Sequence, residues 1–204
     1  MAHCVRWIGD RHMAPRGHTR PIFGSMWLRF QDVAPDADHT YPEGVIKGLQ
    51  KIGNKIGGAV ERNFDLGVQN IRNSPGSFPT NPTGFTNGCA TRMSYCLNYS
   101  GLPVSRIEGQ TVTGADHKNY IFRVKQMVSF LSDQLGAPDI SKGLEAMRND
   151  FISRKGIIAF GVPFSDASGH VTLWDGQRAA DEDYFDPASR HNLPLIDARL
   201  WICP

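Results

Sequence analysis

The sequence predicts an α+β domain in which a short helix, opened by a cysteine, packs on a small antiparallel sheet. Three observations predict it. Residues 85–101 read as a loop feeding a helix with Cys89 in its first turn. Up to about residue 154, apolar residues recur mainly at helical intervals. From residue 157 the pattern changes to unbroken or alternating apolar runs of strand length, separated by turns rich in Gly, Ser and Asp.

Composition narrows the function classes. At 204 residues the chain is long enough for a core that needs no disulfides. Its 22 basic residues against 20 acidic ones leave a net charge of +2, too little for a nucleic-acid footprint. No apolar run approaches the roughly 18 residues that span a bilayer, so no membrane insertion is expected. Cys89 and Cys96 on one helix lie roughly 10 Å apart, beyond bridging distance. Cys4 and Cys203 can pair only if the termini meet. No CxxC or HExxH spacing occurs, so a zinc site is not expected.

In chain order, residues 1–21 mix Pro, Gly and His with Arg6, Arg11, Arg16 and Arg20 and hold no apolar segment. They lack the apolar stretch of a secretory signal and are expected to form a poorly ordered extension to a single domain over residues 22–204. Trp27 to Phe30 open that domain as a helical or extended segment, stopped by Pro35. A helix is expected over residues 42–64, with Ile46, Leu49, Ile52, Ile56 and Val60 on one side. Gly48, Gly53, Gly57 and Gly58 weaken it and point to close backbone packing. Gly53 is followed by Asn54 and not Lys, which excludes a phosphate loop. Residues 70–88, rich in Asn, Pro and Gly, form a loop running into Cys89.

In the next helix Thr86 and Asn87 are candidate N-caps, and Gly101 with Pro103 ends it. Cys89, Met93, Cys96 and Leu97 share its buried face. A core helix follows, with Ile121, Val124, Val128, Leu131 and Leu135 spaced 3, 4, 3, 4 and ended by Gly136. Leu144, Met147 and Phe151 predict one more helix over residues 141–154. Ile157 to Val162 then form a central strand, His170 to Asp175 a second, residues 178–185 an antiparallel return, and residues 193–203 a last apolar segment.

The candidate chemistry lies in the conjunction of Cys89 and His170. A cysteine at a helix N-terminus sits near unpaired N–H groups and the positive end of the dipole, which favour the attacking thiolate. If Gly176 and Gln177 make the hairpin turn, Thr172 faces Asp181 and His170 faces Asp183. All four side chains then share one face. Either Asp181 or Asp183 is placed to orient the imidazole, the base-plus-orienter arrangement that a cysteine nucleophile requires.

Asn87-Gly88-Cys89-Ala90-Thr91-Arg92-Met93-Ser94-Tyr95-Cys96-Leu97-Asn98, together with Gly169-His170-Val171-Thr172-Leu173-Trp174-Asp175-Gly176, resembles the fourth family of type VI secretion amidase effectors. Ile56-Gly57-Gly58 is also similar to that family. The resemblance spans roughly residues 26–203 and implies a papain-like cysteine amidase fold. It implies hydrolysis of the D-glutamate–meso-diaminopimelate bond in peptidoglycan stem peptides, without a cofactor. Cys89 would be the nucleophile, His170 the base and then acid, and Asp181 the orienter, since the family's acidic residue lies about eleven positions after the histidine. It further implies manufacture in the cytoplasm without a signal peptide, delivery by the type VI secretion apparatus into a rival's periplasm, and a cognate immunity protein. Two departures stand out. The segment before Cys89 is longer than in the family, and Ala179, Ala180 and Asp183 stand where flanking cysteines are expected.

Two other classes use the same residues differently. A transglutaminase-like acyltransferase or a deamidase would share the Cys/His pair and differ in its products. A non-catalytic cell-wall-binding domain would leave Cys89 unreactive. The Cys89 N–H and the Asn87 side chain are candidate oxyanion donors. Arg92 and Lys118 are cations within reach of a substrate carboxylate by type alone, and neither is assigned that role.

Overall fold

The computed structural model describes residues 20–36, 41–74, 83–164 and 167–204. Five helices precede or flank a four-stranded antiparallel sheet. They are α1 (Phe23–Val33), α2 (Glu43–Ile56), α3 (Gly58–Arg72), α4 (Cys89–Asn98) and α5 (Val124–Leu135). A two-stranded ribbon of β1 (Thr111–Thr113) and β2 (Asn119–Ile121) lies between α4 and α5. The main sheet has the order β3-β6-β4-β5, with β3 (Ile140–Lys142), β4 (Gly156–Gly161), β5 (Gly169–Trp174) and β6 (Asp197–Ile202).

The apolar run of β4 makes it a central strand, paired to β5 on one side and β6 on the other. Burial on both faces explains why it is unbroken. Ile157 and Ala159 face a core shared with α1, α4 and α5, while Ile158 and Phe160 face a second core on the opposite side. In β5, Val171 and Leu173 belong to the helix-side core. His170 and Thr172 therefore point the other way. A third core holds α2 and α3 together with Tyr95 and Tyr120. α4 is buried along its whole length, so it is the central helix and not one with a single inward face.

Several expectations are corrected. The helix over residues 42–64 is two helices, broken where Gly57 and Gly58 take φ of 71° and 68°. At Gly58 a Cβ would stand 2.7 Å from the Ala115 nitrogen, so the backbone itself packs there. The predicted apolar side is nonetheless buried throughout, from Ile46 to Val60. Ile121 ends β2 and α5 begins only at Val124. No helix forms over residues 141–154: Ser141 pairs with Arg199 in the sheet, and a single 3-10 turn spans Arg148–Asp150. Leu144 and Met147 are 74% and 66% exposed, and only Phe151 points inward. Strand pairing has overridden an apolar spacing that helical propensity alone would favour.

Residues 178–185 form no return strand. They make one bridge, Trp174 to Ala179, with Ala180 N–H donating to Leu173 O at 2.9 Å, before leaving the ladder. That bridge is the register expected from a Gly176–Gln177 turn. Residues 75–82 of the predicted loop, and residues 1–19 of the predicted extension with Cys4, lie outside the described residues. Arg20 is docked: its guanidinium pairs with Asp139 and donates to Ile202 O at 2.7 Å. Phe23 N–H donates to Pro204 O, so the described start and end of the chain meet.

Candidate active site

α4 presents Cys89 at its first residue because the preceding chain is held on three sides. Phe85 N–H donates to Asn63 O, and the Phe85 ring stacks on Phe122 at 4.6 Å and meets Phe64 edge-on. Gly88 is the N-cap, one residue later than Asn87 and two later than Thr86. Asn87 closes the turn instead: its Oδ1 accepts the Cys89 N–H at 3.0 Å. The Cys89 N–H, a candidate oxyanion donor, is thus occupied at rest.

His170 enters from β5 and Asp181 from the segment that bridges back along β5. His170 Nε2 donates to Asp181 Oδ1 at 2.9 Å. Both side chains are almost wholly buried. The Cys89 sulfur stands close enough to His170 to favour its charged form. Since Nε2 serves Asp181, Nδ1 is left for sulfur. Asp183, the other candidate orienter, turns away to ion-pair with Arg148. The structure therefore brings Cys89, His170 and Asp181 together and leaves Asp183 out.

The charges are mutually supporting. Burial disfavours the His170 imidazolium, but the Asp181 carboxylate and the Cys89 sulfur outweigh it and raise its pKa well above the ordinary 6.5. Burial likewise works against the Asp181 anion. The imidazolium and the Arg92 guanidinium, with a weaker contribution from the nearby Thr172 hydroxyl, hold it below the ordinary carboxylate value. Arg92 is itself buried. Its Nε donates to Val33 O at 3.1 Å and its Nη2 to Gly48 O at 3.2 Å. Burial lowers its pKa, while Asp181, Cys89 and Glu182 favour its charge. In contrast Lys118 sits over the Tyr99 ring, away from Cys89.

Two clefts meet at Cys89. One, of about 490 Å³, runs between Phe122–Gln126 on one side and Pro163, Phe164, Ala167 and Ser168 on the other. The other, of about 590 Å³, passes His170, Asp181 and Tyr184 toward α2. Sequence reasoning did not single out Tyr184, whose ring packs on His170 at a centroid distance of 4.6 Å, nor Arg123 and Lys125. Tyr184 falls on the segment expected to be a strand, and nothing in its spacing marks it as a neighbour of the imidazole. Cys96 and Cys203 are free, buried thiols, the first raised by burial and the second pushed up to about 12. Among the described residues no cluster of His, Cys, Asp and Glu is placed to hold a metal ion.

This arrangement joins a thiol, a charged imidazole and a carboxylate at the junction of two open clefts, which suits nucleophilic acyl transfer. The family model described as type VI secretion system (T6SS), amidase effector protein 4, or Tae4, matches residues 85–201. The chain belongs to the Tae4 family. Tae4 chains share its fold along nearly their whole length. In the type VI effector–immunity complex Tae4–Tai4 from Enterobacter cloacae the identity is 35% and the TM-score 0.72, covering 91% of this chain and 100% of that one. For Tae4 from Enterobacter cloacae alone the values are 36% and 0.70, covering 92% and 99%. For the Tae4–Tai4 complex from Salmonella Typhimurium they are 33% and 0.67, covering 91% and 100%. No curated protein sequence matches the chain. Membership in Tae4 makes the chain an amidase effector of type VI secretion, an antibacterial enzyme and a peptidoglycan hydrolase. No described helix is long and apolar enough to cross a membrane.

Proposed function

We propose that the chain hydrolyses the D-glutamate–meso-diaminopimelate bond of peptidoglycan stem peptides in a target cell's periplasm, with Cys89 as nucleophile, His170 as general base and acid, and Asp181 as orienter. The observation that carries this reading is His170 joined to Asp181 through Nε2 beside the Cys89 sulfur, the point at which two clefts meet. A substrate strand laid across both clefts puts its scissile carbonyl over the sulfur.

The Cys89 thiolate attacks the γ-carbonyl of D-glutamate, and the carbonyl π pair becomes the oxyanion. Release of Asn87 Oδ1 frees the Cys89 N–H for that oxyanion, and the Asn87 amide N–H supplies a second donor. The imidazolium gives its proton to the departing diaminopimelate nitrogen, leaving a thioester. Neutral His170 then takes a proton from water, hydroxide displaces sulfur, and the glutamate γ-carboxylate leaves. Asp181 keeps the imidazole in one orientation and stabilises its charged form.

The effector–immunity complexes of similar Tae4 chains support a cognate immunity protein of the Tai4 kind as the partner in the producing cell. To test the reading, purified protein and its Cys89→Ala variant are incubated with muropeptides and the products identified by mass. Fragments split at the D-glutamate–diaminopimelate bond, absent with the variant, are expected. Ammonia release or cross-linked products would instead identify a deamidase or an acyltransferase. Intact muropeptides with folded wild-type protein would leave only binding.

A further inference from the structure

Resting on the cleavage reading above, we infer that the 490 Å³ cleft is a carboxylate subsite in which Arg123 and Lys125 take a free carboxylate of the stem peptide. Cys89 and Asn87 stand at its inner end and Arg123 and Lys125 on one wall, so a group bound there belongs to the molecule whose carbonyl reaches sulfur. Both cations are exposed, and neither pairs with a carboxylate among the described residues.

Arg123 is not a loose surface charge. Its guanidinium lies over the Phe122 ring at 4.7 Å, and Phe122 is in turn stacked on Phe85. That ring stack leads back through Asn87 to the nucleophile, so one stack fixes both the cation and the segment carrying Cys89. The two clefts differ in charge. Arg123 and Lys125 are the charged residues of the first among the described residues, whereas in the second Arg92 and His170 are set against Asp181 and Glu182. Arg123 and Lys125 draw an anionic group toward the first cleft, which orients an asymmetric substrate across the sulfur.

The scissile bond has carboxylates on both sides: the α-carboxylate of D-glutamate and those of diaminopimelate. The shared chemistry is the carboxylate, and the experiment separates its sources. Steady-state cleavage is measured for wild type, Arg123→Gln, Lys125→Gln and the double variant. The substrates are an unmodified stem peptide, its D-isoglutamine form and its amidated diaminopimelate form. Loss of a charge-assisted hydrogen bond in the double variant is expected to raise KM about 10–100-fold on the unmodified stem with kcat largely kept. On whichever amidated form lacks the recognised carboxylate, the variants should change KM little, and that form identifies the source.

A KM unchanged on the unmodified stem, or raised equally on all three, would overturn the subsite while leaving the cleavage reading intact. Calorimetric binding of the intact stem peptide to Cys89→Ala, with and without Arg123→Gln, gives a readout independent of cleavage. Charge-dependent binding there, alongside wild-type protein that cuts a different bond, would keep the subsite and remove the bond assignment.

Discussion

The sharpest test of how the fold positions the nucleophile lies outside the clefts, at Gly67 on α3. A Cβ at Gly67 would stand 1.9 Å from Phe85 O and 2.5 Å from its carbonyl carbon, where ordinary contact begins near 3.4 Å. Gly67→Ala therefore requires the Phe85 segment to retreat by about 1.5 Å, the difference between those two contact distances. Phe85 is tied to Asn63 and stacked on Phe122, and it precedes Cys89 by four residues, so the shift reaches the sulfur–imidazole contact. Misplacement on the order of 1 Å costs about 10²-fold in rate. Overpacking costs about 1–3 kcal/mol, and the strained Phe85–Asn63 hydrogen bond is roughly offset by the better helix propensity of alanine. For a chain of this size that lowers Tm by roughly 3–10 °C. Muropeptide cleavage gives kcat and a thermal melt gives Tm. A variant with kcat within about twofold of wild type and an unchanged or higher Tm would refute the argument, since the loop would then be yielding freely.

Three further outcomes are expected. Asp181→Asn keeps the shape but removes the anion that holds the imidazole, and kcat should fall roughly 10²–10⁴-fold in the same cleavage assay with the fold intact by circular dichroism. The raised pKa of His170 makes its contribution to stability full below the ordinary value of 6.5 and lost as pH rises through the elevated folded value. The Tm difference between wild type and His170→Gln should accordingly be largest near pH 6 and shrink in alkaline buffer. Asp116 accepts the Tyr99 and Tyr120 hydroxyls at 2.8 and 2.6 Å, remote from Cys89. Asp116→Ala should cost about 2–3 kcal/mol in chemical denaturation by orphaning both, with little change in kcat.

Local pattern was a reliable guide wherever local and tertiary demands agreed. The Cys89 helix, with Gly88 before it and Gly101 after it, and the doubly buried β4 are such cases. The hairpin turn at Gly176 and Gln177 set the register seen in the Trp174–Ala179 bridge, even though the return segment leaves the sheet after Ala180, before Asp181 could pair with Thr172. Sequence left open whether Asp181 or Asp183 meets His170, because the choice depends on Arg148 reaching across from another segment. Residues 141–154 carry a helical spacing that pairing with β6 overrides. The break between α2 and α3 depends on Ala115 pressing on Gly58, a contact between segments 57 residues apart that no local window contains. Arg123 and Lys125 were invisible for the same reason: their meaning comes from a cleft wall assembled from distant loops.

The Asp183–Arg148 ion pair has a consequence for where this enzyme can mature. Asp183 occupies a place where the resemblance leads one to expect a cysteine, and its carboxylate anchors the short segment that carries Asp181. A covalent staple must wait for an oxidising compartment. An electrostatic clamp closes as soon as the chain collapses, under a reducing cytosol and an oxidising envelope alike. The segment is thus set without an electron acceptor, and its tether responds to ionic strength rather than to thiol reductants.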